Sequence, residues 1–214
     1  EAEVKENPGL KAFIENKCQT CHAPLARTQA HTEGTNELAF ARALKSPLAG
    51  EGVGCTLCHQ IQNPNLGTHA SFNGYYQIGT NRLIFGPYED VLTMPMRRHV
   101  DYTPVHGAHV QDSALCATCH TLFTPILDAA GTVMGEFPEQ TPYLEWRHSD
   151  YARAGRHCQD CHMPRVDEAV KVSSRPPWLE PRAPFWKHQF VGGNAFMLGL
   201  LADNAKSLDA NADT

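Results

Sequence analysis

No cysteine of this 214-residue chain falls outside one repeated pattern. No apolar run approaches the roughly 20 residues that a membrane-crossing helix needs. The longest near the C-terminus, Ala195 to Ala202, is far shorter, so no transmembrane segment is expected. There is no basic run and no stripe of stacking aromatics, and the formal charge is −5. That excludes nucleic acid as an expected partner. The chain opens Glu-Ala-Glu-Val-Lys, without a charged and apolar leader, and reads as a mature, processed product.

What the chain has instead is Cys-x-x-Cys-His, at Cys18-Cys21-His22, Cys55-Cys58-His59, Cys116-Cys119-His120 and Cys158-Cys161-His162. This is the attachment pattern of c-type haem. Two thiols on one short turn add across the two vinyl groups of a porphyrin, and the adjoining histidine reaches the iron. The eight cysteines are therefore read as thioether positions, with His22, His59, His120 and His162 as proximal ligands of four haem c groups. A disulfide framework would not need a histidine directly after the second cysteine of every pair. A zinc ribbon needs its pairs to converge on one metal and has no use for that histidine. A thioredoxin-like motif would occur once, on a βαβ pattern that the sequence does not show. Haem attachment of this kind takes place outside the bacterial cytoplasm, so a periplasmic, extracellular or cell-surface location is expected.

Four macrocycles in so short a chain leave little room for a separate side-chain core, so the porphyrins themselves must supply much of the apolar interior. Fifteen prolines and sixteen glycines fit loops and short helices wrapped around cofactors. The expected fold is mainly α with much irregular loop and minor β-hairpins, a single domain over residues 1–214 that could be part of a larger protein. The unequal spacing of the motifs excludes a regular solenoid. Asn73-Gly74 between β-friendly residues predicts a hairpin, and Asp128 to Gly131 a second turn. Asn7-Pro8 predicts a helix running into Cys18, and Glu37 to Lys45 another, ended by Ser46-Pro47. Thr141 to Gly155 has a Thr cap, a Pro at its first position and a glycine stop, and predicts one continuous helix. A last helix is expected after Gly192-Gly193, with Phe196, Met197, Leu200, Leu201 and Leu208 on one side.

Eight histidines lie outside the motifs, enough to supply a sixth ligand to each iron. His148 shares the predicted helix face of Leu144, Tyr151 and Ala152, an apolar surrounding that suits an iron-facing imidazole. His188 would alternate between Trp186 and Phe190 in extended chain. His106 and His109 are three apart, on one side of a helical turn, and His109 is the preferred member. His31, nine residues after the first motif and ahead of a helix, completes the distal candidates. His69, His106 and His99 are reserves, although His99 beside Arg97-Arg98 suits solvent or a propionate better. His157 directly precedes Cys158, which points to a supporting or surface role. Met94, Met96, Met134 and Met197 are alternative ligands, better read as core fillers. Arg82, Arg97, Arg98, Arg147 and Arg165 are candidate propionate partners, or solvated arginines.

The chain resembles the multihaem cytochromes related to hydroxylamine oxidoreductase and to its tetrahaem electron acceptor in nitrifying bacteria. The resemblance lies in Gly52-Val-Gly-Cys55, Ser113-Ala-Leu-Cys116, Glu145-Trp-Arg-His148-Ser, Cys158-Gln-Asp-Cys161-His162-Met163-Pro164 and His188-Gln-Phe-Val-Gly-Gly193. It implies haems stacked in parallel and perpendicular pairs within a loop-rich, mostly helical wrapper, with bis-histidine ligation at most sites. Residues 60–100 do not align. The expected function is electron transfer to transiently docked redox partner proteins. The alternatives are a redox enzyme acting on a small nitrogen or sulfur compound at one five-coordinate haem, with His99, Tyr102 or His106 as proton donors, and a subunit or domain of a longer haem chain.

Overall fold

The computed structural model describes residues 8–35, 39–192 and 195–207. It divides into two compact units, Glu1–His157 and Cys158–Thr214. Helix covers 39% and strand 16%, so helix outweighs strand as expected, and the strands form three two-stranded sheets. Asn7, Glu37, Leu38, Gly193, Leu208 and the side chains of Phe196 and Met197, all invoked in the sequence reading, lie outside the described residues.

In the first unit a 3-10 turn at Pro8–Leu10 leads into α1, Lys11–His22, which carries the first motif in its last turns. Ala23 ends it at φ −138°, because the following Pro24 disfavours the helical region. Pro24 then opens α2, Pro24–Thr32. This helix was not anticipated, and His31 lies inside its last turn, ahead of the segment predicted over residues 37–45. Of the helix predicted over residues 37–45, the described part is the single turn α3, Phe40–Ala43. Ser46-Pro47 ends that turn and starts the next, α4, Pro47–Gly50, where Ser46 Oγ accepts from Ala49 N. The second motif forms α5, Cys55–Cys58.

Between the second and third motifs, β1 (Leu83–Gly86) and β2 (Thr103–His106) pair in parallel, joined through α6, Met94–Val100. This is a small β-α-β crossover, contrary to the expectation that no such pattern occurs. It carries no cysteine, so the thioredoxin reading is still excluded. Arg82 closes the crossover: its Nε and Nη2 donate to the carbonyls of Asp101 and Val100 at 3.0 Å, at the C-terminus of α6.

The third motif lies on and just beyond α7, Ser113–Ala117, capped by Asp112. The expected turn at Asp128 joins β3 (Leu122–Leu127) to β4 (Val133–Gln140) in an antiparallel hairpin. Asp128 Oδ1 accepts from the N–H groups of Ala130 and Thr132, both at 2.8 Å. The predicted helix at 141–155 is broken in two, α8 (Pro142–Arg147) and α9 (Asp150–Arg153). Ser149 is extended, and its hydroxyl donates to Trp146 O. A serine competing for backbone in this way ends a helix that the apolar pattern would continue.

Among the described residues eight hydrophobic side chains are buried, four of them alanine. Six form two small clusters, Ala23-Ala26-Ala30 and Phe72-Ala117-Tyr143. Phe72 stacks at 6.4 Å on Phe123 and meets Tyr143 edge-on at 5.9 Å, and Tyr143 stacks at 5.5 Å on Trp146. The second unit starts with α10, Cys158–His162, then pairs β5 (Arg165–Val166) with β6 (Phe185–Trp186), and ends in α11, Ala195–Asp203.

Candidate functional site

Each motif occupies a helical turn or its immediate end, so the two cysteines, three apart, project to one side. No cysteine is buried and none is in a disulfide: Cys18, Cys55 and Cys161 are exposed and the other five half-buried. Unmodified cysteines are ordinarily among the most buried residues; here three are exposed and five lie partly covered. Among the described residues no group of three or more His, Cys, Asp or Glu is placed to hold one metal ion.

Two of the proximal candidates have a defined tautomer. His59 Nδ1 lies 2.6 Å from Phe85 O, and His162 Nδ1 2.7 Å from Val191 O. A carbonyl only accepts, so in both rings Nδ1 carries the hydrogen and the lone pair of the neutral imidazole is on Nε2. That is the arrangement of a metal-bound histidine, whose second nitrogen donates to a backbone oxygen. His22 and His120 are exposed.

The first and third motifs meet. Asn73-Gly74, expected to turn a hairpin, does adopt the paired left-handed geometry of such a turn, at φ +60° and +77°. Its flanks are not paired strands. Asn73 N donates to Thr121 O at 2.9 Å, Gly74 N to Thr118 O at 2.6 Å, and Asn73 Oδ1 accepts from Phe123 N at 2.6 Å. A Cβ on Gly74 would lie 2.1 Å from Thr20 Cγ2 and 3.4 Å from Cys21 Sγ, so the turn is wedged between the two motifs. There the Cys21 and Cys119 thiols hydrogen-bond to each other. The bond holds the Cys119 thiol down, to about 7, and raises that of Cys21. Burial raises the nearby Cys58. Tyr76 Oη reaches Thr20 O, and burial pushes its phenol up to about 12.

The distal candidates are scattered. His148 caps the C-terminus of α8 and is exposed, so it does not share a continuous helix face with Tyr151. His188 is exposed in a turn, with Nδ1 on Trp186 O at 3.1 Å and its ring edge-on to Phe190 at 6.0 Å. The extended alternation stops at Trp186, because the chain turns at His188-Gln189 and Phe190 has φ +47°. His31 is exposed. His106 and His109 do not share a helical turn: His106 ends β2, exposed, and His109 sits in the 3-10 turn Ala108–Gln111. His109 is buried, which lowers its pKa, and its Nε2 donates to Ile61 O at 2.8 Å. His69 holds Glu136 at 3.0 Å between Phe72 and Phe123, and His99 is exposed on α6. His157 Nδ1 accepts from Ser113 N at 3.2 Å, and its ring lies against Trp146 at 5.8 Å. Of the propionate candidates, Arg82 is engaged as above and Arg165 lies beside Asp167 and over the Trp186 ring.

Sequence reading missed the partners that are backbone atoms, Phe85 O and Val191 O, because no residue type marks a carbonyl. Trp186, read from the sequence only as a neighbour of His188, has a buried indole N–H with no hydrogen-bond partner among the described residues. A buried donor of that kind is satisfied when an acceptor, such as a carboxylate of an added group, reaches it. No family model, curated protein or solved structure matches the chain.

Proposed function

We propose that the chain is an electron-transferring c-type cytochrome with haems on Cys18/Cys21, Cys55/Cys58, Cys116/Cys119 and Cys158/Cys161, and with His22, His59, His120 and His162 as proximal ligands. The observation that carries this reading is that all eight cysteines fall in pairs on helical turns or their ends, none fully buried and each pair followed by a histidine. Haem iron, when bound, supplies one-electron redox chemistry whose potential the protein sets through ligand, burial and hydrogen bonds. Phe85 and Val191 orient two of the imidazoles through their carbonyls. The turn at Asn73-Gly74 holds the first and third attachment segments together. Redox partner proteins, in an exported setting, would dock transiently on the surface. The resemblance to hydroxylamine-oxidoreductase-related cytochromes rests on motif phrases alone.

The test is to produce the chain in a bacterial periplasm with a haem-attachment apparatus, then take its intact mass and pyridine haemochrome spectrum. Four covalent haems are expected; a haem-free or zinc-loaded product overturns the reading. The enzyme alternative is favoured by one observation, that His109, the buried distal candidate, has its Nε2 on a carbonyl. Electron paramagnetic resonance of the oxidised protein separates the two: a high-spin iron that shifts with added nitrite or hydroxylamine and turns it over makes the chain an enzyme.

A further inference from the structure

We propose that Phe85, braced by His109 and Gly107, is the positioning residue of the second haem, and that His109 serves as this brace and not as an iron ligand. The inference rests on the haem reading of Cys55-Cys58-His59. Strand β1 has two edges. One pairs in parallel with β2. On the other, Phe85 N donates to His59 O at 2.7 Å, while Phe85 O accepts from His59 Nδ1 at 2.6 Å. A strand edge ordinarily offers those groups to another strand; here both go to one histidine. Together the bonds fix the backbone of His59 and the rotation of its ring.

The brace stands behind that clamp. The Phe85 ring meets the His109 ring edge-on, centroids 4.7 Å apart at 71°. His109 Nε2 donates to the carbonyl of Ile61, a residue only 2% exposed. A chain of contacts thus runs from His59 through Phe85 and His109 to Ile61, two residues beyond the starting histidine. With Nε2 carrying the hydrogen for Ile61 O, its lone pair is not on the nitrogen that the motif histidines present. Gly107 makes the ring contact possible. A Cβ there would fall 2.7 Å from His109 Cε1 and 2.9 Å from Phe85 Cδ1.

A hydrogen bond from the outer nitrogen of a ligating histidine raises its basicity. That favours the oxidised iron, so loosening the clamp raises the potential of this haem alone. Gly107→Ala and His109→Gln test this in the haem-loaded chain, with Phe85→Tyr as the conservative variant that keeps the ring. The glutamine still donates toward Ile61 O but removes the imidazole. Haem is counted first by intact mass, then the potentials and spin states are followed by redox titration with electron paramagnetic resonance. In Gly107→Ala and His109→Gln one haem should shift upward about tenfold in its oxidised-to-reduced ratio, ~59 mV for one electron, with no new high-spin signal. Phe85→Tyr should keep the wild-type values. A new high-spin iron in His109→Gln makes His109 a ligand and overturns the proposal. Potentials unmoved in His109→Gln overturn it too, and that variant decides if Gly107→Ala fails to fold. A wild-type chain that carries no haem on Cys55 and Cys58 fails the underlying reading instead.

Discussion

His59 and His162 donate the same kind of hydrogen bond and are held very differently. In the first unit the carbonyl belongs to a paired strand, returns a second bond through its N–H, and is backed by a buried ring. In the second it belongs to Val191, in a loop just after Phe190 at φ +47°, beside an exposed histidine. The second unit makes its return connection elsewhere, from Lys187 N to Pro164 O at 2.9 Å. The motif and one carbonyl suffice to choose a tautomer. How rigidly the ring is then held depends on contacts from distant sequence, which the first unit has in quantity.

The largest expected effect lies in that first unit. In the haem-free chain, iodoacetamide at neutral pH should label Cys119 more than tenfold faster than Cys21, because the bond between them lowers one thiol and raises the other. Cys119 labelling should climb through about pH 7; equal rates read by peptide mass mapping would remove the thiol pair. Gly74→Ala should cost roughly 3 kcal/mol or more, since the new methyl meets buried Thr20 in a left-handed backbone. A melting-temperature loss equivalent to under 1 kcal/mol would mean that the two motifs are not held by this turn. Asn73→Ala should lose about 2 kcal/mol, from an orphaned Phe123 N–H and a strained φ.

The second unit should respond in the opposite sense. Phe190→Gly relieves a positive φ on an exposed residue and should stabilise by about 1 kcal/mol. Hydrogen exchange at Val191 would show it, and faster exchange would contradict it. Least of all, Asp167→Asn breaks only the exposed pair with Arg165 at 2.7 Å and should change stability by less than about 0.5 kcal/mol. A larger loss in denaturant titration would assign that pair a structural role.

Turn chemistry and helix starts were legible because they depend on one or two residues. Pro8 and Pro142 stand at the beginnings of helical segments, and Asp128 closes its turn through its own carboxylate. Asn73-Gly74 was legible as a turn and illegible as a contact, since its partners Thr118, Thr121 and Phe123 lie far along the chain. The break at Ser149 escaped the pattern because a hydroxyl competing for Trp146 O outweighs apolar periodicity over one turn. His106 and His109 were separated by the parallel pairing of β1 with β2, a long-range event that spacing does not encode.

Sequence alone determined the positions where thiols and histidines stand together, since a motif closed within five residues needs no tertiary partner to put its groups on one turn. It also determined the predominance of helix over strand. Only the tertiary structure decided which carbonyl faces each imidazole, which thiols become neighbours and which histidine is buried. Those are contacts between residues tens of positions apart, and a hydrogen bond to a backbone oxygen depends on where the chain returns rather than on which residue it carries there.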